Sequence, residues 1–145
     1  MDRKEFFKAC GYACLSGVAI STLFTSCTTT SHLELESQNS QFRIDEKEFE
    51  VLKKGKTSFR KYVLVHSNSL PYPICLHRTE TSYVAMLLKC THQGAELQVF
   101  GERMVCPAHG SEFDLNGNVV EGPALDSLKT FPTEVKNGQI IITVL

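Results

Sequence analysis

The sequence has no excess of either charge. Lys and Arg number 15 and Asp and Glu 16, a formal net charge of −1, which points neither to nucleic acid nor to electrostatic binding of a membrane. There is no tryptophan, no internal repeat and no low-complexity tract. Past residue 41 no stretch sustains a helical period. No apolar run reaches the roughly 20 residues that a membrane-spanning helix needs. The chain also lacks a flavin or nicotinamide fingerprint and a recognisable nucleophile, so catalysis by this chain alone is not expected. Its six cysteines suggest a disulfide framework, but Cys10, Cys14 and Cys27 fall in the N-terminal stretch. Only Cys75, Cys90 and Cys106 remain in the body. Three cannot all pair, so a disulfide-built fold is not expected.

What is present begins with an address. A basic start (Arg3, Lys4, Lys8) precedes an apolar run from Ala9 to about Phe24, the pattern of a signal peptide over residues 1–26. Leu23-Phe24-Thr25-Ser26-Cys27 resembles a bacterial lipobox, although Phe24 stands where an aliphatic residue is usual. Lipid on Cys27 would anchor the protein to a membrane surface without spanning it. Arg3-Lys4 resembles the twin-arginine export motif with lysine in second place; a plain basic leader is the other reading. The location implied is the periplasmic or cell-surface side of a bacterial membrane.

Residues 27–41 are mostly polar and read as a tether. From Phe42 to Leu145 short β-type runs follow one another, among them Tyr62–His66, Ile74–His77, Tyr83–Leu88, Leu97–Phe100 and Gln139–Val144. Turn signals stand at Asn116-Gly117-Asn118 and Asn137-Gly138. This is the pattern of an all-β domain, an antiparallel sandwich or small barrel. Lys53, Lys54, Lys56, Arg60 and Lys61 form a basic cluster, read first as a solvated face and second as a docking patch for an acidic redox partner. His66 and His77 read as ordinary strand residues, His32 as part of the tether and Cys75 as a buried hydrophobe.

The chemistry lies in two short arms. Cys90-Thr91-His92-Gln93-Gly94 supplies a Cys-x-His, and Cys106-Pro107-Ala108-His109-Gly110 a Cys-x-x-His. Structural zinc fingers usually pair Cys with Cys and His with His, whereas each arm here is mixed. Brought together, two mixed arms place two thiolates on one side and two imidazoles on the other. That suits a two-iron cluster with one sulfur-ligated and one nitrogen-ligated iron. A single zinc ion also suits the same four residues.

Cys90–Ala95 and Cys106–Asp114 resemble the two cluster-binding loops of the Rieske [2Fe–2S] family. Gly122-Pro123-Ala124 resembles the family's proline loop, and Asn137–Ile142 its last hairpin. The resemblance covers residues 42–145 and implies a Rieske-like antiparallel β-sandwich with a two-loop cluster-binding subdomain. It implies one [2Fe–2S] cluster, with Cys90 and Cys106 on one iron and His92 and His109 on the other. Gly94 and Gly110 would let backbone N–H groups approach the sulfides, and Ser111 and Pro123 would border the cluster. The 13-residue gap between the arms implies a tight hairpin.

Quinol-oxidising members of the family carry a disulfide between the loops; Ala95 and Ala108 stand at those positions and cannot form it. Phe113 stands where high-potential members have a tyrosine. Fewer donors at the cluster imply a potential in the middle or low part of the Rieske range of about −150 to +300 mV. The resemblance implies electron transport with a redox partner such as a cytochrome b or c or an oxidoreductase subunit. The rival readings are a subunit of a quinol–cytochrome c reductase-like complex, a ferredoxin-type component of an oxygenase, and a zinc-stabilised binding lipoprotein.

Overall fold

Ile74, Cys75 and Leu76 are fully buried at three consecutive positions. A strand with one wet face would alternate, so this one belongs to a sheet covered on both sides. The computed structural model describes residues 31–53 and 55–144; the expected signal peptide and Cys27 lie outside them. In chain order the strands are β1 (Ser31–Glu34), β2 (Gln41–Asp45), β3 (Glu50–Lys53), β4 (Lys56–Phe59), β5 (Tyr62–His66), β6 (Ile74–Arg78) and β7 (Tyr83–Leu87), then β8 (Gln98–Phe100), β9 (Arg103–Val105), β10 (Glu112–Asp114), β11 (Val119–Glu121), β12 (Thr130–Phe131), β13 (Thr133–Lys136) and β14 (Gln139–Thr143). One turn of 3-10 helix, Glu46–Phe49, follows β2 and is capped by the Asp45 side chain, which accepts from the Lys47 N–H. Among the described residues no helix is long and apolar enough to cross a membrane.

The central sheet has the order β1-β5-β6-β7-β12. On one face it meets the sheet β13-β14-β2, and Phe42, Ile44, Phe49, Val63, Val65, Ile74, Leu76, Ile140 and Ile142 fill the space between. On the other face Cys75, Met86, Leu88, Leu97, Met104, Phe113 and Leu128 form a second core beneath the sheet β11-β10-β9-β8. Each such side chain contributes about 1.5–3 kcal/mol by leaving water. The second core contains Cys90 and Cys106 themselves, so the candidate ligands grow directly out of packed apolar structure.

The all-β expectation holds, and the expected runs at Tyr62, Ile74, Tyr83 and Gln139 are strands β5, β6, β7 and β14. The two arms are joined by the hairpin β8–β9, in which Phe100 faces Arg103 across the two residues Gly101 and Glu102, as tight as the spacing required. Two expectations change. The sheets are not wholly antiparallel, because β1 runs parallel to β5 from Ser31↔Val63 to Glu34↔His66. The polar stretch 27–41 is therefore not all tether. An edge strand needs only one apolar face, and Leu33 and Leu35 pack against the core while Leu35 N–H donates to the His66 carbonyl at 2.9 Å. His32 accordingly lies in the sheet, with its Nδ1 3.1 Å from Nε2 of His66.

The turn after β10 is closed by one carboxylate. Asp114 Oδ1 accepts from the N–H groups of Asn116 at 2.8 Å and Asn118 at 2.9 Å. Gly117, at φ +87°, then slips beneath Leu128 and Met86, and its carbonyl accepts from the Leu128 N–H at 2.9 Å. Burial pushes the Asp114 carboxyl up, but the donors of Asn118, Asn116 and Gly117 outweigh it and hold the carboxyl below its ordinary range. A lowered folded pKa means stability that is present above the unfolded pKa and lost as pH falls through the folded one. Asp114→Asn should therefore lower the urea midpoint at neutral pH and cost progressively less in acid; an equal loss at both would contradict this account.

Candidate metal centre

The two arms fold alike although their histidines are spaced differently. In the first, the Cys90 N–H donates to the Ala95 carbonyl at 2.8 Å and the Gly94 N–H to the Cys90 carbonyl at 2.9 Å. In the second, the Cys106 N–H donates to the Ser111 carbonyl at 2.8 Å and the Gly110 N–H to the Cys106 carbonyl at 3.0 Å. Each loop closes on its cysteine through the residues four and five positions on. Closure needs a left-handed residue at the fourth position, and Gly94 and Gly110 have φ of +79° and +77°. Their own N–H groups are spent on the cysteine carbonyls. Other N–H groups do face a sulfur, as those of His109 and Ala108 donate to Cys106.

This geometry sorts the four residues by type. Cys90 and Cys106 are buried, 1% and 2% exposed, and the Cys90 side chain lies within hydrogen-bonding reach of the Cys106 sulfur. His92 and His109 are exposed, with ring centroids 5.0 Å apart and planes at 86°. The pairs form across the loops, thiol with thiol and imidazole with imidazole. Among the described residues no three His, Cys, Asp or Glu side chains gather as a single metal ion requires. Separate sulfur and nitrogen pairs fit a cluster of two metals better than one tetrahedral zinc.

Burial pushes the Cys106 thiol up, yet the N–H groups of His109 and Ala108 and the side chain of Cys90 outweigh it, and the net shift is downward. A thiol biased toward thiolate is the form that binds metal. Cys75 is the contrast: burial alone pushes it up to about 12, as suits a hydrophobe inside β6. His77 is half-buried in β6 and held below its usual value first by burial, partly offset by a hydrogen bond to the Leu115 backbone.

A third loop braces the other two. Ser111 is fully buried, and its Oγ accepts from the Ala124 N–H at 3.0 Å, which leaves its own O–H to donate. Thr91 Oγ1 donates to the Asp126 carbonyl at 2.7 Å. The proline loop, with Pro123 exposed and Ala124 buried, is thus tied to both arms. The Tyr72 hydroxyl in turn donates to the Gly94 carbonyl at 2.7 Å. Sequence reasoning missed Thr91, Asp126 and Tyr72, because each contact runs to a backbone atom far away in the chain.

Two thiols paired inside and two imidazoles paired outside suit an iron–sulfur centre with mixed ligands. Residues 27–132 match the Rieske [2Fe-2S] domain, and the chain belongs to that family. Its cofactor is a [2Fe–2S] cluster. The iron-sulfur subunit of the cytochrome b6-f complex of Nostoc punctiforme is 41% identical over 56 residues, 37% of this chain and 31% of that protein. The same subunit of Prochlorococcus marinus (strain AS9601) is 34% identical over 55 residues, again 37% and 31%. The matched stretch thus spans about a third of these curated relatives. Among solved structures, the plasma membrane Rieske protein PetC3 from Synechocystis PCC 6803 superposes with a TM-score of 0.50 at 26% identity, covering 58% of this chain and 87% of that chain.

The contrast between thiols can be measured by mass mapping. In the folded, metal-free chain near neutral pH, iodoacetamide should modify Cys106 well before Cys75, which should react only on unfolding. Equal rates would contradict the environments described.

Proposed function

We propose that the chain is a one-electron carrier at a bacterial membrane surface, serving a respiratory or other redox chain. Cys90 and Cys106 ligate one iron and His92 and His109 the other. The supporting observation is the cross-loop pairing: thiols against the apolar core, imidazoles together at the surface. When bound, the cluster supplies reversible one-electron chemistry. The protein's part is to hold the thiolates out of water and to expose the imidazole edge, where a partner can approach within electron-transfer distance. Residues 1–26 serve as a lipoprotein-type export signal and Cys27 as the lipidated residue. The partner is a cytochrome or an oxidoreductase subunit.

Purified protein tests the ligand assignment. Two irons and two labile sulfides per chain with a Rieske-type EPR signal are expected, and Cys106→Ser should abolish both. Colourless protein holding one zinc per chain would replace this reading with the zinc-stabilised lipoprotein.

The potential is set by donors at the cluster. Phe113 is fully buried in the second core and offers none, while Ser111 offers one. Phe113→Tyr should raise the midpoint potential and Ser111→Ala lower it. The expected size is up to about 130 mV each, since a hydrogen bond to a charged group is worth roughly 1.5–3 kcal/mol and 59 mV corresponds to 1.4 kcal/mol for one electron. A redox titration in which neither variant moves would remove both residues from the cluster's surroundings.

A further inference from the structure

Strand registers give the domain two poles. Leu87 pairs with Ile74, Leu88 N–H bonds to the Pro73 carbonyl, and Cys90 follows at once, so the cluster loops stand at that end of the central sheet. At the other end Tyr83 pairs with Arg78 and His77 with Tyr62. The first described residue, Ser31, pairs with Val63 beside Tyr62. The chain therefore enters the domain at the pole opposite the cluster loops, about 17 Å away for five strand residues.

That pole carries a basic and apolar hairpin. The hairpin β3–β4 stands apart as its own two-stranded sheet, and every residue of β4 is exposed. Leu52 near its tip is 79% exposed and Phe59 at its base 53%, with the Arg78 guanidinium 4.4 Å over the Phe59 ring. Lys53 and Lys56 face each other across the turn. Between Val51 and Lys61 five residues are basic and none is acidic. Lys61 pairs with Glu102, which brings the β8–β9 turn and the exposed Phe100 to the same end. The positive charge gathers at the hairpin tip, while Glu50 at its base, Glu80 in the β6–β7 turn and Glu102 lie at the same pole.

Tether length decides what this pole meets. With β1 starting at Ser31, only four residue steps separate it from Cys27, at most about 14 Å fully extended. A lipid-anchored Cys27 thus holds this pole against the bilayer, with no room for a protein partner beneath it. Exposed Leu and Phe beside Lys is the composition that settles at a lipid interface, and an anionic surface attracts the lysines.

We propose that this pole is a foot resting on an anionic lipid surface, with the tip of the β3–β4 hairpin among the headgroups. The cluster loops then point away from the bilayer, toward a water-soluble electron partner. The proposal rests on the reading of Cys27 as the anchor.

Because the chain has no tryptophan, single indole reporters can test it. The full-length chain, extracted from membranes, is reconstituted into vesicles of phosphatidylethanolamine and phosphatidylglycerol carrying brominated acyl chains. The fluorescence of the Leu52→Trp variant should be quenched, and that of Leu125→Trp on the proline loop should not. Adding Lys53→Glu and Lys56→Glu to the Leu52→Trp chain, or raising the salt, should remove most of the quenching. Flotation with the vesicles reports anchoring separately. A Leu52→Trp chain that floats while its indole stays unquenched overturns the foot and leaves the anchor intact. A chain that does not float overturns the anchor, and the foot with it.

Discussion

The whole centre depends on one backbone device, the closure of each loop onto its own cysteine. A cysteine N–H given to the fifth residue on, and a glycine N–H returned to the cysteine carbonyl, form a small rigid ring. The ring turns the thiol inward against the core. It leaves no freedom to the residues between, so the histidine's place within the ring decides where its imidazole emerges. Cys-x-His and Cys-x-x-His sit in the same ring, yet the two imidazoles meet edge to face outside it. Substituting either glycine would strain the ring at a positive φ, whatever space lies beside it.

The missing disulfide leaves the loops to be held by other means. Ala95 is half-buried against the second core, and its carbonyl already serves Cys90; Ala108 is exposed. The load passes to the proline loop, which receives Thr91 from one arm and gives an N–H to Ser111 in the other. These are neutral hydrogen bonds, each worth about 0.5–1.5 kcal/mol. They are reversible and insensitive to reductant, unlike a covalent brace.

The legible parts of the fold are those with continuous apolar runs, β5, β6, β7 and β14, because burial on one or both faces writes itself into composition. β10 carries Glu and Asp around the single buried Phe113, and β13 has no buried residue, so both leave little trace. β1 reads as tether because an edge strand can be polar at most positions. The four candidate ligands are legible through spacing alone. Their sorting into a thiol pair and an imidazole pair is implied by the family resemblance, whereas the ring that enforces it needs coordinates. Tyr72, Thr91 and Asp126 leave no trace, since a side chain that seeks a distant backbone atom has no partner residue type to betray it.

The direction of β1 has a mechanical consequence. It lies parallel to β5 with its first residue toward the pole where the chain enters. A pull on the chain before Ser31 acts along the strand, across the interstrand hydrogen bonds and not along them. The bonds from Ser31 to Leu35 are then loaded together in shear, where the same strand reversed would unzip from one end. A domain moored by this strand resists being torn from its mooring with the combined strength of that short ladder.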